Sequence, residues 1–338
     1  MTDTHSFKSF RRLGTITIIA VYFLILVGGI VRASGAGMGC PDWPTCFGSW
    51  VPPTDVSQLP DNYQTLYAER GYKNTTFNPI KTWTEYLNRL SGVTIGILIL
   101  ATAWASRIYL KTDKTVFYLS CSVVLIVGFQ GWLGSAVVAS NLKPLIITLH
   151  MMLALFIVAL LIYVIARSQH TTLQTLSIAQ LPPQFKTVIK VAMGMTLVQI
   201  SMGTQVREVV DLIANQHSYI DRQFWRDDLP FIFYVHRSFS SLILFTNLWL
   251  GWKLFKLTDK NSALQQLGIL LASCVVIAIL AGVSLDRLGF PAFAQPIHLL
   301  MANLIFGVQF LIYICHKYAS ESQARPLTHD SFRNQIDV

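Results

Sequence analysis

The stretch Leu145-Ile146-Ile147-Thr148-Leu149-His150-Met151-Met152-Leu153-Ala154-Leu155-Phe156-Ile157-Val158-Ala159-Leu160-Leu161-Ile162-Tyr163-Val164-Ile165-Ala166 contains no charged residue and a single histidine. About 20 apolar residues suffice for a helix to cross the hydrocarbon core of a bilayer. Comparable runs lie near 14–31, 88–109, 116–138, 187–206, 231–252, 264–285 and 295–315. In lipid each backbone polar group must be bonded within its own segment, so these runs are expected to be helices and not open strands. With 53% hydrophobic and 13% charged residues in a chain of 338 and a mean hydropathy of +0.49, a soluble domain is excluded. The expected fold is all-α and polytopic, with eight transmembrane helices. The first run follows Arg11 and Arg12, as a signal peptide would, but is read as a retained helix because Gly28, Gly29 and Arg32 at its far end recur later.

Charge follows topology. With the N-terminus inside, one side collects Lys8, Arg11, Arg12, Arg107, Lys111, Lys114, Arg167, Lys186, Lys190, Lys253, Lys256, Lys260 and Lys317, while the opposite side mixes Arg70 and Lys73 with Asp55, Glu69 and Asp211. Lys and Arg concentrate in cytoplasmic loops, so both termini are expected in the cytoplasm. The formal charge of +9 is thereby accounted for, and no basic stretch joins a soluble nucleic-acid-binding fold. Cys40 and Cys46 fall in the first external loop, where an oxidising compartment favours a disulfide over two free thiols or a zinc site, which would call for a second pair. Cys121, Cys274 and Cys315 lie within apolar runs and read as small packing residues.

The chain repeats itself. Asn88-Arg89 aligns with His236-Arg237, Gly134 with Gly282 and His150 with His298, always at one offset, 236 − 88 = 282 − 134 = 298 − 150 = 148. Gly28-Gly29-Ile30-Val31-Arg32 parallels Gly203-Thr204-Gln205-Val206-Arg207. Two four-helix halves, each with an even number of crossings, share one orientation, which makes a parallel duplication about an axis along the membrane normal. The expected organisation is a first half over 1–168, a second over 169–319 and a polar cytoplasmic tail over 320–338.

An ionisable ring inside a membrane helix is costly and marks function. His150, His236 and His298 each fall near the external end of a run. His236 and His298 can therefore face one another across the second half, as a bis-histidine b-type haem requires. Haem has two carboxylates and arginine presents a fork of donors to match, so Arg32, Arg207 and Arg237 are candidates for the propionates; each serves equally well as an interfacial anchor. The halves differ at Glu85, whose counterpart is Phe233. An acid one turn from position 88 can move a proton or stabilise developing positive charge, or cap its helix and pair with Arg89. The second half thus reads as a permanent cofactor site and the first, with Glu85, Asn88, Arg89 and His150, as a substrate site. No glycine-rich fingerprint for a flavin or nicotinamide is present.

These residues resemble the haem A synthase family. The resemblance rests on Gly28-Gly29-Ile30-Val31-Arg32 with Gly35, Gly37 and the Cys40/Cys46 loop, Glu85-Tyr86 with Arg89, Gln130-Gly131-Trp132-Leu133-Gly134, Thr148-Leu149-His150, Val206-Arg207-Glu208, His236-Arg237 and Gln295-Pro296-Ile297-His298-Leu299. It implies an oxidoreductase of the bacterial cell membrane that converts haem O to haem A by successive hydroxylation of the C8 methyl to a formyl group. It further implies haem b ligated by His236 and His298, functional positions at Glu85 and His150, and an external cysteine pair. The partners to be expected are a haem O synthase, a quinone-type electron acceptor and the cytochrome oxidase assembly route, with no nucleic acid and with homo-oligomerisation left open. This chain departs from the family in having Asn88 where histidine is usual, and an amide is a poor ligand for haem iron. A b-type cytochrome that only carries electrons is the alternative, and a small-molecule transporter would place its polar groups near the midplane instead.

Overall fold

The computed structural model describes residues 2–73, 75–178, 180–216, 225 and 228–323. Its frame is eight long helices: α1 (Thr2–Ala33), α2 (Pro79–Ala105), α3 (Lys114–Ala139), α4 (Pro144–Arg167), α5 (Phe185–Gln216), α6 (Phe231–Leu257), α7 (Ala263–Arg287) and α8 (Ala294–Gln323). Seven of them are long and apolar enough to cross a membrane, and the chain is a polytopic membrane protein. The eighth, α6, has 27 residues, but His236, Arg237, Asn247 and Lys253 dilute its apolar character. At 1.5 Å per residue it is about 40 Å long, enough to span.

Local chemistry sets the helix starts. Asn78 accepts the Lys81 N–H ahead of Pro79, Asp113 accepts from Thr115, Pro144 opens α4 and Ser262 accepts from Gln265; each satisfies donors that a helix end leaves open. Several helices run further than their apolar stretches, and two of these extensions bear on the site. α2 begins at Pro79 rather than near 88, so Glu85, Asn88 and Arg89 lie well inside it. α5 continues to Gln216, so Arg207 does not end its helix. The tail expected over 320–338 is helical as far as Gln323, and 324–338 lie outside the described residues.

Helix α1 packs on α2, α2 on α3, α3 on α4 and α4 back on α1, while α5, α6, α7 and α8 close a second ring in the same order. The rings meet where α8 lies against α1 and α4, and α4 against α5. One apolar core gathers Ile189, Leu250, Leu254, Leu271, Cys274 and Ile312 from α5 to α8. Another gathers Val21, Ile99, Val123, Val158 and Leu161 from α1 to α4, joined by Ile314 and Tyr318 of α8. α6 and α7 cross in backbone contact: a Cβ on Gly251 would stand 2.8 Å from the Gly268 carbonyl oxygen, so only glycine allows this approach. Apolar side chains such as Leu125, Ile97 and Phe245 point outward, as a lipid solvent permits.

Candidate functional site

Four corresponding positions on the even-numbered helices carry Asn88, His150, His236 and His298, and each is met by a glycine of the preceding odd-numbered helix. A Cβ on Gly134, Gly203 or Gly282 would stand 3.3, 3.3 and 3.2 Å from Cε1 of His150, His236 and His298, and one on Gly28 would stand 4.0 Å from the Asn88 Oδ1. The missing side chains let each ring lie flush against the neighbouring backbone. A further device fixes the helix pairs. The Gln130 amide donates to the His150 carbonyl at 3.0 Å and the Gln199 amide donates to the His236 carbonyl at 3.0 Å. In both, the glutamine sits four residues before the glycine, one turn away on the same face. In α7 that position is Ala278, and there the ring itself takes part: His298 Nδ1 lies 2.9 Å from the Ala278 carbonyl oxygen.

The His236 and His298 rings come together, with centroids 6.2 Å apart and planes at 69°. A ligating imidazole nitrogen lies about 2 Å from its metal, so two rings on opposite sides of one ion have centroids about 6 Å apart. Donation from His298 Nδ1 to a backbone carbonyl leaves Nε2 as the bare nitrogen, the tautomer in which metal-binding histidines are held. The Nδ1 atoms of His150 and His236 are buried without a hydrogen-bond partner. The donor set and its spacing therefore fit an iron porphyrin. The first half has one imidazole at this level, so no ring pair forms there.

Glu85 is only 3% exposed. Its Oε1 pairs with Arg89, and its Oε2 accepts the Cys40 N–H at 2.8 Å. The Arg89 guanidinium also donates to the carbonyls of Asp42 (2.7 Å), Thr45 (3.0 Å) and Cys40 (3.1 Å). Both residues are thus committed to the loop between α1 and α2, the arrangement that pairing between Glu85 and Arg89 anticipates. That loop is closed by the Cys40–Cys46 disulfide, with neither cysteine exposed. Asp42 accepts from the Phe47 and Gly48 amides at 2.6 and 2.8 Å, and Phe47 is packed edge-on by Tyr67, Tyr72 and Phe77. Thr82 donates to the Gly39 carbonyl at 2.9 Å, where α2 comes so close that a Cβ on Gly39 would stand 2.4 Å from the Lys81 carbonyl oxygen. Burial, helped by the nearby Glu85 carboxylate, pushes the Tyr72 phenol well above its usual value. It therefore stays a donor, to the Met38 carbonyl at 3.0 Å.

The arginines matched to carboxylates all have acidic neighbours. Arg32 and Arg207 share Asp211, each at 2.7 Å, and Arg207 also donates to Gln295. Arg237 meets Asp286 at 3.3 Å. Asp211, Gln199 and Ala278 are site neighbours that the sequence reading missed. For Gln199 a signal existed, because Gln130-x3-Gly134 and Gln199-x3-Gly203 share one spacing.

The COX15-CtaA family, described as cytochrome oxidase assembly protein, matches residues 11–310. The chain is similar to the heme A synthase of Shewanella oneidensis, 29% identical over 216 residues that make up 63% of this chain and 62% of that protein. It is similar to that of Shouchella clausii, 30% identical over 145 residues, 42% of this chain and 40% of that one. With the heme A synthase of Wolbachia pipientis wMel it is 25% identical over 327 residues, 88% and 89% of the two chains. The matched stretches of the Shewanella and Shouchella proteins are thus less than two thirds of their lengths. The chain belongs to the COX15-CtaA family of cytochrome oxidase assembly proteins.

Proposed function

We propose that the protein is a haem A synthase, an oxidoreductase that converts the C8 methyl of haem O to the formyl group of haem A for terminal oxidase assembly. The observation that carries this reading is the His236–His298 ring pair, with centroids 6.2 Å apart and the His298 Nδ1 held by a backbone carbonyl. These two imidazoles would hold haem b, which when bound would supply one-electron redox chemistry. Gly203 and Gly282 seat the rings, and the Gln199 amide holds the start of α6 to α5.

Substrate haem O belongs in the first half, where His150 is the one firm ligand and Asn88 a weak or water-mediated partner. Glu85 holds or moves a proton, or stabilises positive charge, as the ring methyl is oxidised. Arg89 pairs with that carboxyl group and ties it to the disulfide loop. Arg32, Arg207 and Arg237 receive propionates at the external face by exchanging part of their contacts with Asp211 and Asp286 for a second carboxylate. The halves, 1–168 and 169–319, form parallel-repeat four-helix bundles that make eight membrane crossings, with both termini cytoplasmic in a bacterial cell membrane. Electrons leave to a membrane acceptor of the quinone type, and a haem O synthase supplies the substrate.

Coexpression with a haem O synthase, followed by haem extraction, tests the activity. Haem A in the extract is the expected result; haem O alone would leave the chain as a b-type cytochrome that only carries electrons.

A further inference from the structure

Below the ring level the two halves part company. Eleven residues past each candidate ligand, about 16 Å deeper along its helix, the second half has Asn247 (236 + 11) and Gln309 (298 + 11), and the first half has Ile99 (88 + 11) and Leu161 (150 + 11). Asn247 and Gln309 are both wholly buried. The Gln309 amide donates to Asn247 Oδ1 at 2.7 Å, and the Asn247 amide donates to the Ile243 carbonyl at 2.7 Å. The Gln309 carbonyl oxygen is left without a partner. Ile99 and Leu161 are equally buried but belong to an aliphatic core. The contrast continues at four repeat-related positions. The first half has Gly92, Gly96, Gly128 and Gly131, where a Cβ would meet no atom within 4 Å; the second has Ser240, Leu244, Val276 and Ile279.

We propose that Asn247 and Gln309 are specificity-determining residues that keep the tailed porphyrin out of the second half, so that only a haem without an isoprenoid chain can settle between His236 and His298. The proposal rests on the two-haem reading above. Haem O differs from haem b by an isoprenoid chain on the edge opposite the propionates. With its carboxylates at the arginine-bearing end, that chain must run down between the helices to the depth of these positions. In the first half it meets aliphatic side chains and open glycine surface. In the second it would have to part an amide pair and leave those groups without partners in apolar surroundings, which is costly.

The test uses the full chain, made in cells that contain both haem b and haem O, with the porphyrins retained through purification extracted and separated. A His150→Ala background makes retained haem report on the second half. With the native amide pair the extract should hold haem b; with Asn247→Leu and Gln309→Leu the share of haem O should rise about tenfold. Because that variant can lose its fold, the reciprocal change is made as well: Ile99→Asn with Leu161→Gln in the otherwise native chain should lower retained haem O while haem b stays. A double-leucine variant that keeps its bis-imidazole spectrum and still holds only haem b would overturn the proposal, as would a reciprocal variant that retains haem O like the native chain. Failure of the underlying reading looks different: the His150→Ala protein with its amide pair intact would carry no haem, or a spectrum indifferent to His236→Ala, and the proposal would fall with it.

Discussion

The backbone N–H of Cys40 donates to Glu85 Oε2 at 2.8 Å, so the disulfide loop and the acid of α2 form one unit. Arg89 completes it through Glu85 and three loop carbonyls. Glu85→Gln keeps the shape and removes the carboxyl group. If the acid takes part in the oxidation, haem A formation should fall by about 100-fold, within the usual range for a positioned acid or base, with haem b content unchanged. The haem A to haem O ratio in extracts measures this. A ratio near that of the native protein would reduce Glu85 to an anchor of the loop.

A Cβ added at Gly203 or Gly282 would stand 3.3 or 3.2 Å from Cε1 of His236 or His298. An added methyl must push each imidazole aside, and overpacking of this kind costs about 1–3 kcal/mol. Gly203→Ala and Gly282→Ala should each shift the midpoint potential of the bound haem and lower its occupancy. Gly194→Ala serves as the control, because nothing lies within 4 Å of its Cβ position. Equal spectra from all three variants would separate the glycines from the ligand geometry.

Asn88 occupies the position that His236 holds in the second half, and Gly28 leaves it room, since even a Cβ added there would stand 4.0 Å from the Asn88 Oδ1. Asn88→His offers a second imidazole to the first half. More substrate haem should survive purification, with a bis-imidazole spectrum and slower release of product. Retention no greater than in the native protein would show that His150 and residue 88 do not share an iron.

Asp113 caps α3 through the Thr115 amide and binds Arg167 at 2.7 Å. Partial burial alone would raise its carboxyl, but the hydrogen bond and charge of Arg167, with Thr115, more than offset this and hold it below the usual value. Its folded-state pKa is thus depressed, so the stabilisation is fully present above the unfolded carboxylate value and is lost as pH falls through the folded one. Asp113→Asn keeps the cap and removes the ion pair. It should cost about 0.3–1 kcal/mol at neutral pH, the modest figure expected for a pair near the surface. Thermal melts in detergent should show that difference shrinking once the pH drops below the carboxylate range. A gap independent of pH would mean that the ion pair is not its source.

Much of the scaffold can be read without coordinates, because long apolar runs and a repeat at one offset both follow from the demands of lipid on the backbone. The level shared by His236 and His298 follows from each lying near the start of its apolar run. Other features depend on distant contacts with no local trace. The first turns of α2, Lys81-Thr82-Trp83-Thr84-Glu85, are too polar to read as membrane helix and are held by the Gly39 and Cys40 backbone, about forty residues earlier. Asp211, which joins Arg32 to Arg207, meets an arginine 179 residues away. The Asn247–Gln309 bond spans 62 residues, and each member alone is an ordinary polar residue in an apolar run.

Reduced-minus-oxidised absorption spectroscopy of the purified protein, with pyridine extraction, tests the ring pair most directly when the native chain is set beside His236→Ala and His298→Ala. The expected result is a low-spin bis-imidazole b-type signal in the native protein that each substitution abolishes. A native protein without haem, or a signal that survives both substitutions unchanged, would contradict it.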